Sequence, residues 1–300
     1  MNTLARVGLG TAQFGVDYGV SNYEGRPSEA EVAAILARVI EMEVGYIDTA
    51  ASYPNAEKLL GRHLPPKHRV RIVTKLPAVQ DDVITAQYIE TVLATIAASL
   101  DRLRLPRVYG ILVHHARDLA KPGWQYLIDA LGETRARGWT STVGVSVYEA
   151  SDLAVVESRF TPEIVQLPFN VLDRRLSETG CLARLHGSGI EIHARSVFLQ
   201  GLLLMEPASL PRFFDPISET LAHLHARWAA EKRTPLAGCL DCTLHNPNID
   251  VAIVGVNRLC ELDEIAEAAS GLGDADEKNW PPVAVDPLFL DPRRWPTSLQ

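Results

Sequence analysis

Four side chains of complementary chemistry stand at or just beyond the ends of apolar runs: Asp48, Tyr53, Lys75 and His114. Asp48 closes Val44-Gly45-Tyr46-Ile47, Lys75 closes Arg71-Ile72-Val73-Thr74, and His114 follows the run from Val108 to Val113. Tyr53 lies a few positions past Asp48, where the chain breaks into the small residues Thr49-Ala50-Ala51-Ser52. A buried carboxylate is costly without a counter-ion, and Lys75 is the cation that answers Asp48. An ammonium beside a phenol favours the phenolate, so Lys75 is expected to lower the pKa of Tyr53. A phenol tuned in this way can give a proton to a carbonyl oxygen, or take one from an alcohol, near neutral pH. The His114 imidazole would orient the same oxygen. The four together are read as one acid–base device.

Such a device needs a scaffold that delivers strand ends to one place. Short apolar runs alternate with segments of helical periodicity. Ser28 and Glu31 suit a capping box, and Val32, Ile35, Leu36, Val39 and Ile40 then fall on one helical face. Strands are expected near 7–11, 44–48, 71–75, 108–113, 142–147, 164–167, 191–195 and 251–254, with helices between them. About eight strand–helix units of this kind, with strands apolar on both faces, predict an α/β fold, a (β/α)8 TIM barrel in a single domain over 1–300. An open doubly wound sheet fits less well, because Gly8-Leu9-Gly10-Thr11-Ala12 lacks a third glycine and no helix is expected directly after it. From about Gly271 an irregular tail rich in proline and charge is expected to wrap the surface. Active sites of such barrels lie at the C-terminal strand ends, which is where Asp48, Lys75 and His114 stand.

The composition agrees with this architecture. Hydrophobic residues make up 47% of the 300 residues and charged ones 22%, the profile of a water-soluble globular chain with a large core. A net charge of −8 argues against a nucleic-acid partner. No apolar run reaches the roughly 20 residues a membrane helix needs, and the first residues resemble neither a signal peptide nor an anchor. Four cysteines do not make a disulfide framework in so long a chain, so a cytoplasmic location is expected.

From about Gly8 to Ala268 the chain resembles the aldo-keto reductases, (α/β)8-barrel oxidoreductases that use a nicotinamide cofactor without a metal. The resemblance rests on Ile47-Asp48-Thr49-Ala50 with Tyr53, Glu57 and Leu60-Gly61, on Thr74-Lys75, and on Leu112-Val113-His114. It implies Tyr53 as general acid/base, Asp48 and Lys75 as its tuners, and His114 as the residue directing substrate. It also implies a small-molecule carbonyl or alcohol substrate and NADP as cofactor, with NAD possible. Tyr18 and His115, with Tyr53 and His114, are the expected substrate contacts.

The same resemblance assigns a cofactor site to the remaining strand ends. Gly10, Thr11 and Asp48 would border it. Ser146 and Gln166 would hold the nicotinamide amide, although Val147 stands where the family usually has asparagine. Arg195 falls where many relatives place an aromatic ring, and a guanidinium plane can also stack. Ser196, Phe198 and Gly201 resemble the loop under the pyrophosphate. Gly255, Asn257 and Arg258 resemble the segment around the adenosine 2′-phosphate. Here Glu261 would repel that phosphate and Arg258 is the only nearby cation. A non-catalytic barrel that binds nicotinamide nucleotide as a redox-sensing or partner-binding module is the alternative. Cys239, Cys242 and His245 have spacing that could ligate zinc, but the segment reads as a packed helix with buried thiols, and no metal is expected. His193 is read as a core histidine.

Overall fold

Eight strands run in parallel, each hydrogen-bonded to the next: β1 (Val7–Gly10), β2 (Tyr46–Asp48), β3 (Arg71–Leu76), β4 (Val108–Val113), β5 (Thr140–Ser146), β6 (Ile164–Pro168), β7 (Glu191–Arg195) and β8 (Val251–Gly255). The last returns to the first, with Gly10 opposite Gly255, so the sheet closes into the expected (β/α)8 barrel. This computed structural model describes residues 3–273 and 283–299.

Side chains alternate between the two faces of a strand, and the sequence uses both. Leu9, Ile47, Ile72, Ile111, Val165 and Ile192 belong to the large core shared with the surrounding helices. Val32, Ile35, Leu36 and Val39 of the helix Glu29–Glu41 are buried in the same core. The other parity builds a smaller cluster that includes Tyr46, Val73, Leu112, Ile164 and Ile253. One inward position further along each of these strands, or just past its end, come Asp48, Lys75, His114, Gln166 and Gly255. The candidate site is therefore the upper layer of the barrel interior, stacked on an apolar lower layer.

The opposite end of the barrel holds a polar plug. Arg71 Nη1 donates to the Tyr46 hydroxyl, and its guanidinium lies 5.2 and 5.1 Å from the ring centroids of Tyr46 and Tyr109. Tyr109 donates to Glu191 Oε2 at 2.5 Å, and the His193 ring meets Glu191 Oε1 at 2.8 Å. Burial opposes ionisation of Glu191, yet the bonds from His193 and Tyr109 prevail and hold its carboxyl at about 2. Because the folded-state pKa is depressed, this carboxylate stabilises the fold above its ordinary value of 4.5 and ceases to do so as pH falls toward 2. Glu191→Gln is expected to lower the unfolding free energy at neutral pH by about 1–3 kcal/mol. The gap from the native protein should narrow steadily between pH 4.5 and pH 2 in denaturant titrations.

Several local expectations change. Ser28 does cap its helix by accepting from the Glu31 amide, but the Glu31 carboxylate turns away and accepts from the Leu259 amide at 2.6 Å. The expected capping box is thus half replaced by a link to the last barrel helix, Leu259–Ser270. A helical turn, Ala12–Gly15, does follow the first strand directly. Cys239 and Cys242 are buried, and His245 is held by Asp241 at 2.7 Å. Among the described residues no group of acidic, histidine and cysteine side chains suits a metal ion. His193 is fully buried, as read, although its Nδ1 lacks a hydrogen-bond partner. Of the tail, residues 274–282 lie outside the described residues. Residues 283–299 bury Phe289 and Trp295, and Trp295 meets the Phe214 ring edge-on at 4.9 Å. No helix among the described residues is long and apolar enough to cross a membrane.

Candidate active site

The loop carrying Tyr53 is pinned from both sides. The Tyr53 amide donates to the Ala50 carbonyl at 3.0 Å, and the Tyr53 carbonyl accepts from Ala56 at 3.3 Å, where the helix Ala56–His63 begins. Gly15 packs against this turn so closely that a Cβ there would stand 2.5 Å from the Pro54 carbonyl oxygen. Glu57, almost fully buried, accepts from the Thr74 hydroxyl at 2.7 Å and from Arg102 Nε at 2.9 Å. That carboxylate ties the Tyr53 helix to β3 beside Lys75.

The ion pair inferred between the strand ends is present. Lys75 Nζ donates to Asp48 Oδ2 at 2.6 Å and to the Thr49 carbonyl at 2.9 Å, with the lysine 1% exposed. The second Asp48 oxygen accepts from Gln166 Nε2 at 2.7 Å. The ammonium lies 5.6 Å from the centroid of the Tyr53 ring. His114 meets that ring edge-on with centroids 6.1 Å apart. The structure thus brings Asp48, Tyr53, Lys75 and His114 into one group.

Their electrostatics differ from the expectation in one respect. The Tyr53 pKa is raised, not lowered: burial is the main cause, and the Asp48 carboxylate and Tyr18 add to it. Of the buried pair, it is Asp48 and not Lys75 whose charge acts on the phenol. Burial lowers the pKa of Lys75 itself, against the opposing pull of Asp48. Burial, then Lys75 and His115, push the His114 imidazole down to about 2, so the ring is neutral throughout the ordinary pH range. A phenol that keeps its proton can donate it to a developing oxyanion, and a neutral imidazole can hold a hydrogen bond to the same oxygen.

A cavity of about 580 Å³ opens at the C-terminal end of the barrel. Asp48, Tyr53 and Gln166 form its inner wall, joined by Gly10, Thr11 and Tyr18. Arg195, Ser196, Phe198 and Gly201 line one side, and Gly255, Asn257 and Arg258 the other. Ser146, His114 and His115 lie outside this lining: Ser146 is buried, and His115 is exposed with its ring centroid 4.8 Å from that of His114. Gly255 is close-packed too, since a Cβ there would lie 2.1 Å from Gln13 Nε2.

Further residues complete the cleft, of which Glu24, Gln200 and Glu264 were not anticipated from sequence. The loop after β1 bridges its rims: the Val20 amide donates to the Gln200 carbonyl at 3.0 Å, and Asn22 Nδ2 reaches Asn257 Oδ1 at 3.5 Å. Glu24 pairs with Arg258 at 3.5 Å. Glu261 lies 3.4 Å from Arg258 and also accepts from the Asn257 amide at 2.7 Å. Glu264 belongs to the same wall. No signal in the sequence could have joined Glu24 to Arg258, because a loop-to-loop ion pair leaves no periodicity.

An eight-stranded parallel barrel with a buried carboxylate–ammonium pair under a phenol at its C-terminal mouth defines a class of barrel enzyme, and known proteins narrow it. A family profile described as "Aldo/keto reductase family" matches residues 6–278. The chain belongs to the aldo/keto reductase family, and is an oxidoreductase acting at a carbonyl or alcohol carbon. Among solved structures it is similar to aldo-keto reductase AKR11C1 from Bacillus halodurans (holo form), with 18% identity, TM-score 0.71, and 89% and 87% of the two chains covered. It is also similar to the glycerol dehydrogenase AKR11B4 from Gluconobacter oxydans, with 18% identity, TM-score 0.69, and 88% and 86% covered. No curated protein matches the sequence.

Proposed function

We propose that this chain reversibly transfers a hydride between a nicotinamide nucleotide and a small carbonyl/alcohol pair, with Tyr53 as general acid/base. The observation that carries the reading is Tyr53 in the cleft wall above Asp48, whose two oxygens are held by Lys75 and Gln166. The described residues suit a nucleotide. Gly10 and Gly255 present backbone along the cleft, and Gln200 Oε1, a residue of the same wall, is buried without a hydrogen-bond partner. In this reading Gln166 and Ser146 would hold the nicotinamide amide, Ser196, Phe198 and Gly201 would border the pyrophosphate, and Asn257 and Arg258 would border the adenosine. When bound, the nucleotide supplies or accepts the hydride. Tyr53 gives its proton to the substrate oxygen during reduction and recovers one during oxidation. His114 orients that oxygen as a neutral hydrogen-bonding ring, and the Asp48–Lys75 pair fixes the geometry beneath it. The test is turnover of a carbonyl panel, followed by loss of reduced-nicotinamide absorbance. Tight nucleotide binding with no turnover across the panel would favour the non-catalytic binding module.

Between the two nucleotides, the chemistry of the wall favours NAD(H) over the NADP(H) expected from the family. Arg258, the cation nearest the 2′-phosphate position, is bracketed by Glu24 and Glu261, and Glu264 adds a third carboxylate to the wall. A 2′-phosphate there would meet like charge. NADH is expected to bind at least about 10-fold tighter than NADPH, corresponding to about 1.4 kcal/mol of repulsion. Glu24→Gln should narrow that gap. Calorimetric titration of both nucleotides checks it, and an equal or reversed preference in the native protein would refute it.

A further inference from the structure

Arg195 differs from the other cations around the barrel mouth. Lys75 is matched by Asp48, Arg258 by Glu24 and Glu261, Arg175 by Asp173, and Arg293 by Asp291. Among the described residues Arg195 makes no ion pair. It is half-buried at the end of β7, in the wall that also carries Tyr18 and Tyr53. Its guanidinium carbon lies 3.9 Å from the centroid of the Tyr148 ring, Nη2 donates to the Val147 carbonyl at 2.9 Å, and Nη1 reaches Ser196 Oγ at 3.5 Å. These contacts fix the plane of the group and leave it without an ion-pair partner among the described residues; the carboxylate that feels its charge is Asp291, itself paired with Arg293. Of the five N–H donors a guanidinium carries, they use two. A partly buried cation without a counter-ion is costly, and a planar fork held in one orientation suits two-point binding of a carboxylate or phosphate. Arg195 and Tyr53 line the same cavity, so an anion on the guanidinium and a carbonyl at the phenol share one space of about 580 Å³.

Building on the carbonyl/alcohol reading of this cleft, we propose that the substrate carries an anionic group, a carboxylate or a phosphate, and that Arg195 binds it while the carbonyl faces Tyr53. Val147 and Tyr148 are then positioning elements: the Val147 carbonyl and the Tyr148 ring hold the guanidinium toward the cavity.

The test compares glycolaldehyde, glyoxylate and glycolaldehyde phosphate, a neutral aldehyde and its carboxylate and phosphate counterparts, in native protein and in Arg195→Met and Arg195→Lys. The native protein is expected to favour at least one anion, in kcat/KM relative to glycolaldehyde. Arg195→Met should cut that ratio about 10–100-fold, the span of one charged hydrogen-bonded pair, and Arg195→Lys should restore part of it. Whichever anion shows the drop identifies the class. A native ratio near one, or a ratio unmoved in Arg195→Met, overturns the proposal while leaving the carbonyl chemistry intact. Binding of glycolate, phosphoglycolate and ethylene glycol to the protein–NAD complex separates the two readings. Anion-selective binding lost in Arg195→Met, with no aldehyde turned over, keeps the anion site and removes the reductase chemistry. An Arg195→Met effect confined to NADH affinity would assign the cation to the nucleotide and overturn the proposal.

Discussion

Tyr53→Phe is expected to lose turnover by about 10²–10⁴-fold, the usual contribution of a positioned general acid, while nucleotide affinity persists. The ring would still fill its place against His114 and above Lys75, so only the transferable proton is removed. The raised Tyr53 pKa adds a direction to this expectation. Reduction needs the protonated phenol and should hold its rate from neutral into mildly alkaline pH, whereas oxidation needs a phenolate acceptor and should quicken as pH rises. A level profile for reduction beside a rising one for oxidation in the native protein, both absent in Tyr53→Phe, would be the signature. Turnover in the variant at the native rate would remove Tyr53 from the chemistry.

Asp48→Ala is expected to be the most damaging change to the fold at this site. It leaves an ammonium, 1% exposed, with the Thr49 carbonyl as its remaining hydrogen-bond acceptor, and breaking such a buried pair costs about 3–5 kcal/mol. Gln166 would also lose the acceptor for its amide. Asp48→Ala combined with Lys75→Met removes both charges and should recover much of the stability without recovering activity. The pH dependence has a definite sign. Burial already lowers the Lys75 pKa, and losing Asp48 lowers it further. The unfolded chain then holds the proton more tightly than the folded one, so the stability of the single variant should climb with pH toward 10.5, the ordinary value for lysine. Denaturant melts at neutral and alkaline pH would show it. A single variant as stable as the double one would mean that Asp48 does not compensate the lysine.

The legible part of this protein is the part written in strand periodicity. Apolar runs ending in Asp48, Lys75 and His114 placed three residues at the same end of the barrel, and the two-residue alternation put them on its inner face. Boundaries moved by only a residue or two at most elements, as at β5, which begins at Thr140 rather than 142. What sequence could not show was how charges pair once folded. The nearness of Lys75 to Tyr53 was readable, but the burial of the phenol and the action of the Asp48 charge on it were not, and these reverse the direction of the Tyr53 shift. Glu31 fits a local capping motif, yet a helix start far along the chain took its carboxylate. The bridging loop was equally hidden, because Asn22 and Glu24 find their partners at Asn257 and Arg258.

That loop ties the start of the barrel to its finish across the mouth. A nucleotide held in this cavity would lie against the clasp, whose residues Asn22, Glu24 and Gln200 line it, and lid opening of this kind sets the pace of many enzymes whose chemistry is quick. Its charged half, Glu24 with Arg258, stands in water, while its backbone half at Val20 and Gln200 is sheltered. Dissolved ions weaken the first and hardly touch the second. The protein therefore carries a latch whose outer catch loosens with salinity and whose inner one does not.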